Sequence, residues 1–381
     1  MKKFLKNLLF SAYLVLAVSV LTVPFYGAYV IIRAKSLYEF IKQPYQGWEG
    51  RVHEADAKLG FKARPNAEGL DIVGNGKKIP IRYDENGFRV PAGYDPQAVK
   101  GRPLSLFLGC SFTYGTACPA EETYPYIVNG YLKGSYINAA TSSYGYAQMV
   151  LLARELIPKY KPNYVFLQIS PWLLERAVSM FRPSVYGNMP VPYFADVKGR
   201  QKIISPIYKT NMFDLPFEKY KKSARSTKDF LLYLKDVGMP YFFNTDYNVL
   251  MTRIKLLSGF IPRPERDMYG VQMEVYTEVY DLCRQNSAYL VLVGIGAKNY
   301  DRSFNPKLEQ AGSLIVANAD KALWDKLEPK TQEEYAKNYY HWGDNPPRVV
   351  DKHPTVKAHK IIADAVYAAM LEKAKQPGSN A

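Results

Sequence analysis

The longest apolar stretch comes first. Residues 8–32 (LLFSAYLVLAVSVLTVPFYGAYVII) carry no charge over 25 positions. As a helix rising about 1.5 Å per residue, this stretch exceeds the roughly 30 Å hydrocarbon core of a bilayer. It also exceeds the core of a secretory signal, about 7–15 residues, and no A-x-A cleavage site follows it. Pro24 lies inside the run, and membrane spans tolerate such a residue better than soluble helices do. Lys2, Lys3 and Lys6 precede the run and Arg33 and Lys35 follow it. Basic residues therefore favour a cytoplasmic N-terminus by a narrow margin. Residues 1–35 read as an uncleaved, single-pass signal anchor. A cleaved signal peptide is the alternative. Both put the remainder outside the cytoplasm, in a periplasmic or extracellular location.

Beyond this segment the apolar runs are shorter. Residues 36–60 read as a juxtamembrane linker running into a short entry segment. Residues 59–90 carry Gly, Pro and Asn-Gly turn signals between short apolar runs (LGFKARPN, YDENGFRVP), the pattern of a small β-rich lead-in. Then strand and helix patterns alternate. Leu104–Leu108, 135–140, 163–170 and 288–296 predict buried strands. Residues 121–133, 145–160, 269–287 and 355–374 predict helices. Strands alternating with helices specify a parallel α/β sheet covered on both faces. The rhythm breaks over residues 176–265, rich in Tyr, Phe, Lys and Pro. That stretch reads as an insertion in the domain spanning 101–381, covering the carboxyl edge of the sheet, where open α/β folds bind ligands. An ordinary aromatic subdomain core is the alternative.

Composition excludes several classes. Of 381 residues, 48% are hydrophobic and 22% charged, unlike a disordered or low-complexity chain. Three cysteines, Cys110, Cys118 and Cys283, give no disulfide scaffold and no paired C-x-x-C zinc or redox motif. A Cys110–Cys118 bridge is open in an oxidising compartment but not forced. The net charge of +15 suits an anionic surface, yet Lys and Arg are scattered and no nucleic-acid-binding signature is present. No cofactor and no metal are expected, and protein partners are not specified.

The sharpest local feature is Gly109-Cys110-Ser111-Phe112-Thr113-Tyr114-Gly115, at the end of the first buried strand. A serine there sits at the carboxyl edge of the sheet, where backbone N–H groups can stabilise an oxyanion. A turn serine bonding its own backbone is the plain alternative. Cys110 reads as a buried small residue. A serine nucleophile needs a base, and there are four histidines. His53 reads as a surface residue of the lead-in, His341 lies in the loop NYYHWGDNPP, and His359 falls inside the last helix. His353, in Asp351-Lys352-His353-Pro354, opens that helix with an aspartate two residues away that can orient it.

In these motifs the chain resembles the SGNH/GDSL hydrolase family, in its membrane-anchored bacterial envelope type. GCSFTYG resembles the first block, with Cys110 where Asp often stands. Asn138 to Gly145 (NAATSSYG) resembles the second block, NYVFLQISPW the strand leading to the third, and DKHPTVKAHKIIADAV the last. The resemblance covers residues 56–180 and 268–372. It implies a flavodoxin-like three-layer α/β/α sandwich with a parallel sheet. It also implies Ser111 as nucleophile, His353 as base and Asp351 as its partner. The oxyanion hole would be formed by Ser111, Ser143 and Trp172. Ser143 stands where the second block has glycine, and Trp172 where the third has asparagine. A backbone N–H survives the first exchange, and an indole N–H is still a donor in the second.

What this implies is an exported, membrane-anchored serine acyl esterase or acyltransferase. Its substrate would be an O-acyl group, acetyl foremost, on a cell-envelope glycan. A lipid esterase is the second enzyme reading. A catalytically weak module that binds glycan or scaffolds an envelope assembly is the third.

Overall fold

The computed structural model describes residues 2–42, 47–95, 103–184, 187–296, 312–344 and 346–375. Its centre is a five-stranded, all-parallel sheet. The strands are β1 (Leu104–Leu108), β2 (Ser135–Asn138), β3 (Tyr164–Ile169), β4 (Tyr289–Gly294) and β5 (Leu314–Asn318), in the spatial order β5-β4-β3-β1-β2. This is the flavodoxin-like order, whose switch point lies between β1 and β3.

Alternate residues of each strand feed opposite layers, as the two-residue period of a strand requires. Leu106, Leu108, Val165, Leu167, Leu290 and Leu292 pack with the helices Tyr146–Tyr160 and Met268–Gln285. Phe107, Phe166, Val291 and Val293 pack with Tyr124–Leu132, Ala319–Asp325 and Val356–Ala374. In register, Phe107 and Phe166 stack with centroids 4.2 Å apart. The result is an α/β/α sandwich. Strand β5 and the helix after it carry no sequence expectation. β5 is a five-residue edge strand whose central Val316 is 36% exposed, which shortens its apolar signature.

Residues 47–90 fold into an antiparallel sheet of Gly47–Glu49, Glu68–Ile72, Lys78–Tyr83 and Arg89–Val90, with a hairpin of His53–Asp56 and Gly60–Ala63.

The chain divides into two compact units. One is Met1–Pro44 with Asp214–Ile254; the other is Tyr45–Phe213 with Lys255–Ala381. The expected insertion over 176–265 is therefore split between them. Its helices Phe217–Lys221 and Thr227–Tyr233, and most of Met239–Leu257, belong with the N-terminal helix. That helix, Lys2–Ile41, runs past the expected end near residue 35 into what was read as linker. The physical reason is a second apolar stripe, Val30, Ala34, Leu37, Tyr38 and Ile41, all buried at helical spacing. Residues 43–46 of the expected linker lie outside the described residues. Among the described residues, one helix, Phe4–Ile41, is long and apolar enough to cross a membrane, with mean hydropathy 2.2 over its most apolar 18 residues.

Candidate active site

β1 ends in Gly109, and the chain turns at once. Cys110 precedes a four-residue helical turn, Ser111–Tyr114, closed by Gly115 at φ +82. Glycine is needed at both ends. A Cβ on Gly109 would lie 2.1 Å from Oγ1 of Thr113 and 2.8 Å from Oε1 of Gln168. One on Gly115 would meet Thr123 at 2.1 Å. Gln168, fully buried on β3, fixes the turn. Its Oε1 accepts the Cys110 N–H at 3.0 Å and the Thr113 hydroxyl at 2.8 Å, and its Nε2 donates to Ser170 Oγ at 2.8 Å. Strands β1 and β3 are thus stitched together at the switch point. Ser111 is 6% exposed there.

His353 arrives from the other end of the chain. Asp351 closes the strand Pro347–Asp351, and its Oδ1 accepts both the His353 backbone N–H, at 2.8 Å, and the ring Nδ1–H, at 2.6 Å. Burial alone would raise the Asp351 pKa, but the two bonds from His353 and its nearby charge hold it below the usual value. The His353 ring lies against Phe112, the neighbour of Ser111, with centroids 5.4 Å apart. Trp172 packs against the same Phe112 ring, with centroids 5.0 Å apart. The indole also covers Gly296, where a Cβ would come within 2.4 Å of it. Phe112 therefore links the serine turn, the histidine loop and the start of the helix after β3.

The structure brings Asp351 and His353 into direct contact and sets His353 and Trp172 around Phe112. It leaves Ser111 Oγ 3.9 Å from the Cys110 sulfur. Among the described residues, no hydrogen bond joins Ser111 to His353. Such bonds are often long before substrate binds. Ser143 sits in the turn between Thr141 and Tyr144 at φ +70, a conformation that favours glycine. The neighbouring Ser142 hydroxyl bonds Oγ1 of Thr116 at 2.7 Å, tying this turn to the loop behind Ser111. Cys110 and Cys118 are buried and free. Cys118 donates to the Pro354 carbonyl at 3.3 Å.

Two histidines differ from their sequence reading. His53 is not on the surface but 4% exposed among Phe61, Tyr83 and Phe213. Burial depresses its pKa to about 3. His341 is on a strand rather than in a loop, paired with Asp351 across a bulge. Burial lowers its pKa, against the attraction of Asp351. His359 is in the last helix as expected, fully buried, accepting the Tyr124 N–H at 3.3 Å.

Sequence reasoning missed the residues that hold the loop behind Ser111. Arg89, 2% exposed, donates to the carbonyls of Tyr114, Gly115 and Cys118 at 2.6–2.7 Å. Its guanidinium also lies 4.3 Å from the Tyr114 ring centroid. Asp71 accepts the Ala117 N–H at 2.9 Å; burial raises its pKa, and the Asp351 charge adds to the rise. Both come from the antiparallel lead-in sheet. A lone Arg between Phe88 and Val90 gives no sequence signal of its burial. Gln168 did leave one: a single amide inside an otherwise apolar strand.

No family model matches the chain, and no curated protein matches it. Solved structures do. A GDSL-like lipase from Bacteroides thetaiotaomicron is 14% identical, with TM-score 0.34, covering 72% of this chain and 90% of that one. A psychrotrophic esterase from Pseudoalteromonas sp. is 12% identical, TM-score 0.34, covering 72% and 99%. An acetylxylan esterase from Geobacillus stearothermophilus, solved as a catalytic mutant, is 12% identical, TM-score 0.30, covering 74% and 98%. At these identities and scores, the role of each residue here comes from this chain's own geometry.

Proposed function

We propose that this chain is a serine acyl esterase or acyltransferase, anchored in a membrane with its sheet domain outside the cytoplasm. It acts on O-acyl groups, acetyl foremost, of a cell-envelope glycan. The observation that carries the reading is the 2.6 Å bond between Asp351 and Nδ1 of His353, with that ring seated on the residue next to Ser111. A carboxylate can only accept, so in the neutral ring Nδ1 carries the proton and Nε2 the lone pair.

Nε2 takes the Ser111 proton as Oγ attacks the ester carbonyl. The tetrahedral oxyanion is met by the backbone N–H groups of Ser111 and Ser143 and the indole N–H of Trp172. Collapse breaks the bond to the alcohol, which leaves with the proton returned from Nε2. The acyl-enzyme is then resolved by water or by a sugar hydroxyl, again deprotonated by His353.

A glycan is preferred because Trp172, half-buried at the carboxyl edge of β3, offers an aromatic face for a sugar ring. A lipid ester is the competing substrate, favoured by the long apolar helix. Chromogenic acetyl and longer-acyl esters, offered to the full chain in detergent, separate the readings. Turnover of the acetyl ester that Ser111→Ala abolishes supports the proposal. Turnover confined to long acyl chains transfers it to the lipid reading. Failure with every ester leaves a binding module, which the direction of Ser111 Oγ toward Cys110 would then suit.

A further inference from the structure

Among the described residues, Arg182 is a buried cation without an ion-pair partner. It lies on the strand Phe181–Ser184, opposite Met189, and is 7% exposed. Its Nη2 donates to the Arg176 carbonyl at 2.8 Å, while its buried Nε finds no hydrogen-bond partner. Glu175 is nearby but exposed, and pairs with neither arginine. Burial pulls the Arg182 pKa down to about 9, and the Arg176 charge adds to the fall, against Cys110 and Glu175. The group is still protonated at neutral pH. A guanidinium taken out of water is costly unless an anion meets it. Holding one helix carbonyl does not account for that cost, because an exposed lysine or arginine does the same.

The surroundings of Arg182 are those of the candidate active site. Cys110, one of the groups whose charge it feels, carries the sulfur 3.9 Å from Ser111 Oγ. Arg176 Nη1 donates at 3.2 Å to the carbonyl of Tyr144, the neighbour of Ser143. Gly145 makes that approach possible, since a Cβ there would lie 2.8 Å from the Arg176 Cβ. Arg176 also follows Trp172 by four residues on one helix, so the two share a face, about 6 Å apart at Cβ. Both are half-buried. An aromatic ring and a guanidinium at that separation match a sugar ring and an acidic substituent on it. The net charge of +15 attracts an acidic polymer more than a neutral one.

We propose that Arg176 and Arg182 bind an anionic group, carboxylate or phosphate, of an acidic glycan whose ring lies on Trp172 beside Ser111. The proposal rests on the reading of this chain as a glycan acyl esterase or acyltransferase, and names its substrate class. Each guanidinium can present two parallel N–H groups to the oxygens of such an anion, and the orphaned Nε of Arg182 gains an acceptor.

Trigalacturonate, glucose 6-phosphate and neutral maltotriose are titrated by calorimetry into the full chain in detergent. Turnover of 4-nitrophenyl acetate is followed in parallel. The account expects at least one of the two anions to bind about tenfold or more tighter than maltotriose. Preference for trigalacturonate assigns a carboxylate, and preference for glucose 6-phosphate a phosphate. Arg176→Gln and Arg182→Lys should each weaken the anion about tenfold or more, since one ammonium cannot reproduce the fork. Affinity unchanged in both variants, as for attraction by the net charge alone, overturns the proposal. So does equal affinity for charged and neutral sugars, which is read on wild type and stands if a variant fails to fold. Ester turnover without anion binding removes the anion site and keeps the esterase. Anion binding through both arginines without turnover keeps the site and removes the esterase reading.

Discussion

Asp351 Oδ1 accepts the Nδ1–H of His353 at 2.6 Å and the same residue's backbone N–H at 2.8 Å. One oxygen thus fixes both the tautomer of the ring and the turn that carries it. In Asp351→Asn an amide can donate where the carboxylate could only accept, which allows the wrong tautomer. Ester turnover should fall on the order of 10³–10⁴-fold while the unfolding midpoint shifts little. Turnover within a few-fold of wild type would remove Asp351 from the mechanism.

Arg89 spans three carbonyls of the loop behind the serine. Arg89→Met leaves those carbonyls buried without donors, at a cost of about 3 kcal/mol or more. Arg89→Lys keeps the charge but loses the planar fork, and one ammonium cannot reproduce its geometry. Denaturant titration of the full chain should rank wild type above Lys above Met.

Ser143 holds φ +70 without being glycine, which strains its Cβ. Ser143→Gly keeps the backbone N–H and relieves the strain. Stability should rise by up to about 1 kcal/mol, the gain in strain being offset in part by glycine's greater unfolded freedom. Ester turnover should be retained, since the donor is the backbone.

His53 and His359 are buried, and burial holds both near a pKa of about 3 against an ordinary 6.5. Their stabilising contribution is complete above pH 6.5. As the pH falls below that value, the unfolded chain takes up protons that the folded chain refuses, so stability drops. Each contributes a slope of up to about 1.4 kcal/mol per pH unit. Denaturant midpoints over the range above the carboxylate pKa values should show this fall, and His359→Gln should make it shallower. A flat profile would contradict the buried-neutral assignment.

The sandwich was legible because β1, β3 and β4 are apolar runs closed by turn residues, and the helices between them keep an apolar face. The Asp351–His353 pair was legible because it is local, two residues apart on one loop. Arg89 and Asp71 act across 20 to 50 positions of sequence, through carbonyls and a backbone N–H that any residue supplies, so no motif marks them; Gln168 is marked only as the one amide in an apolar strand. The helical unit was hidden for a similar reason. Val30 to Ile41 carries apolar positions at helical spacing past Arg33 and Lys35, which read as the end of the span, and the sequence does not show that these positions are buried.

The central claim is that Ser111 is a nucleophile activated by His353. A fluorophosphonate probe reacts with such a serine and leaves a stable phosphonyl ester that peptide mass spectrometry can locate. On the full chain, the account predicts one adduct, on Ser111, absent from His353→Ala. An unmodified Ser111, or an adduct there that forms equally well without His353, would contradict it.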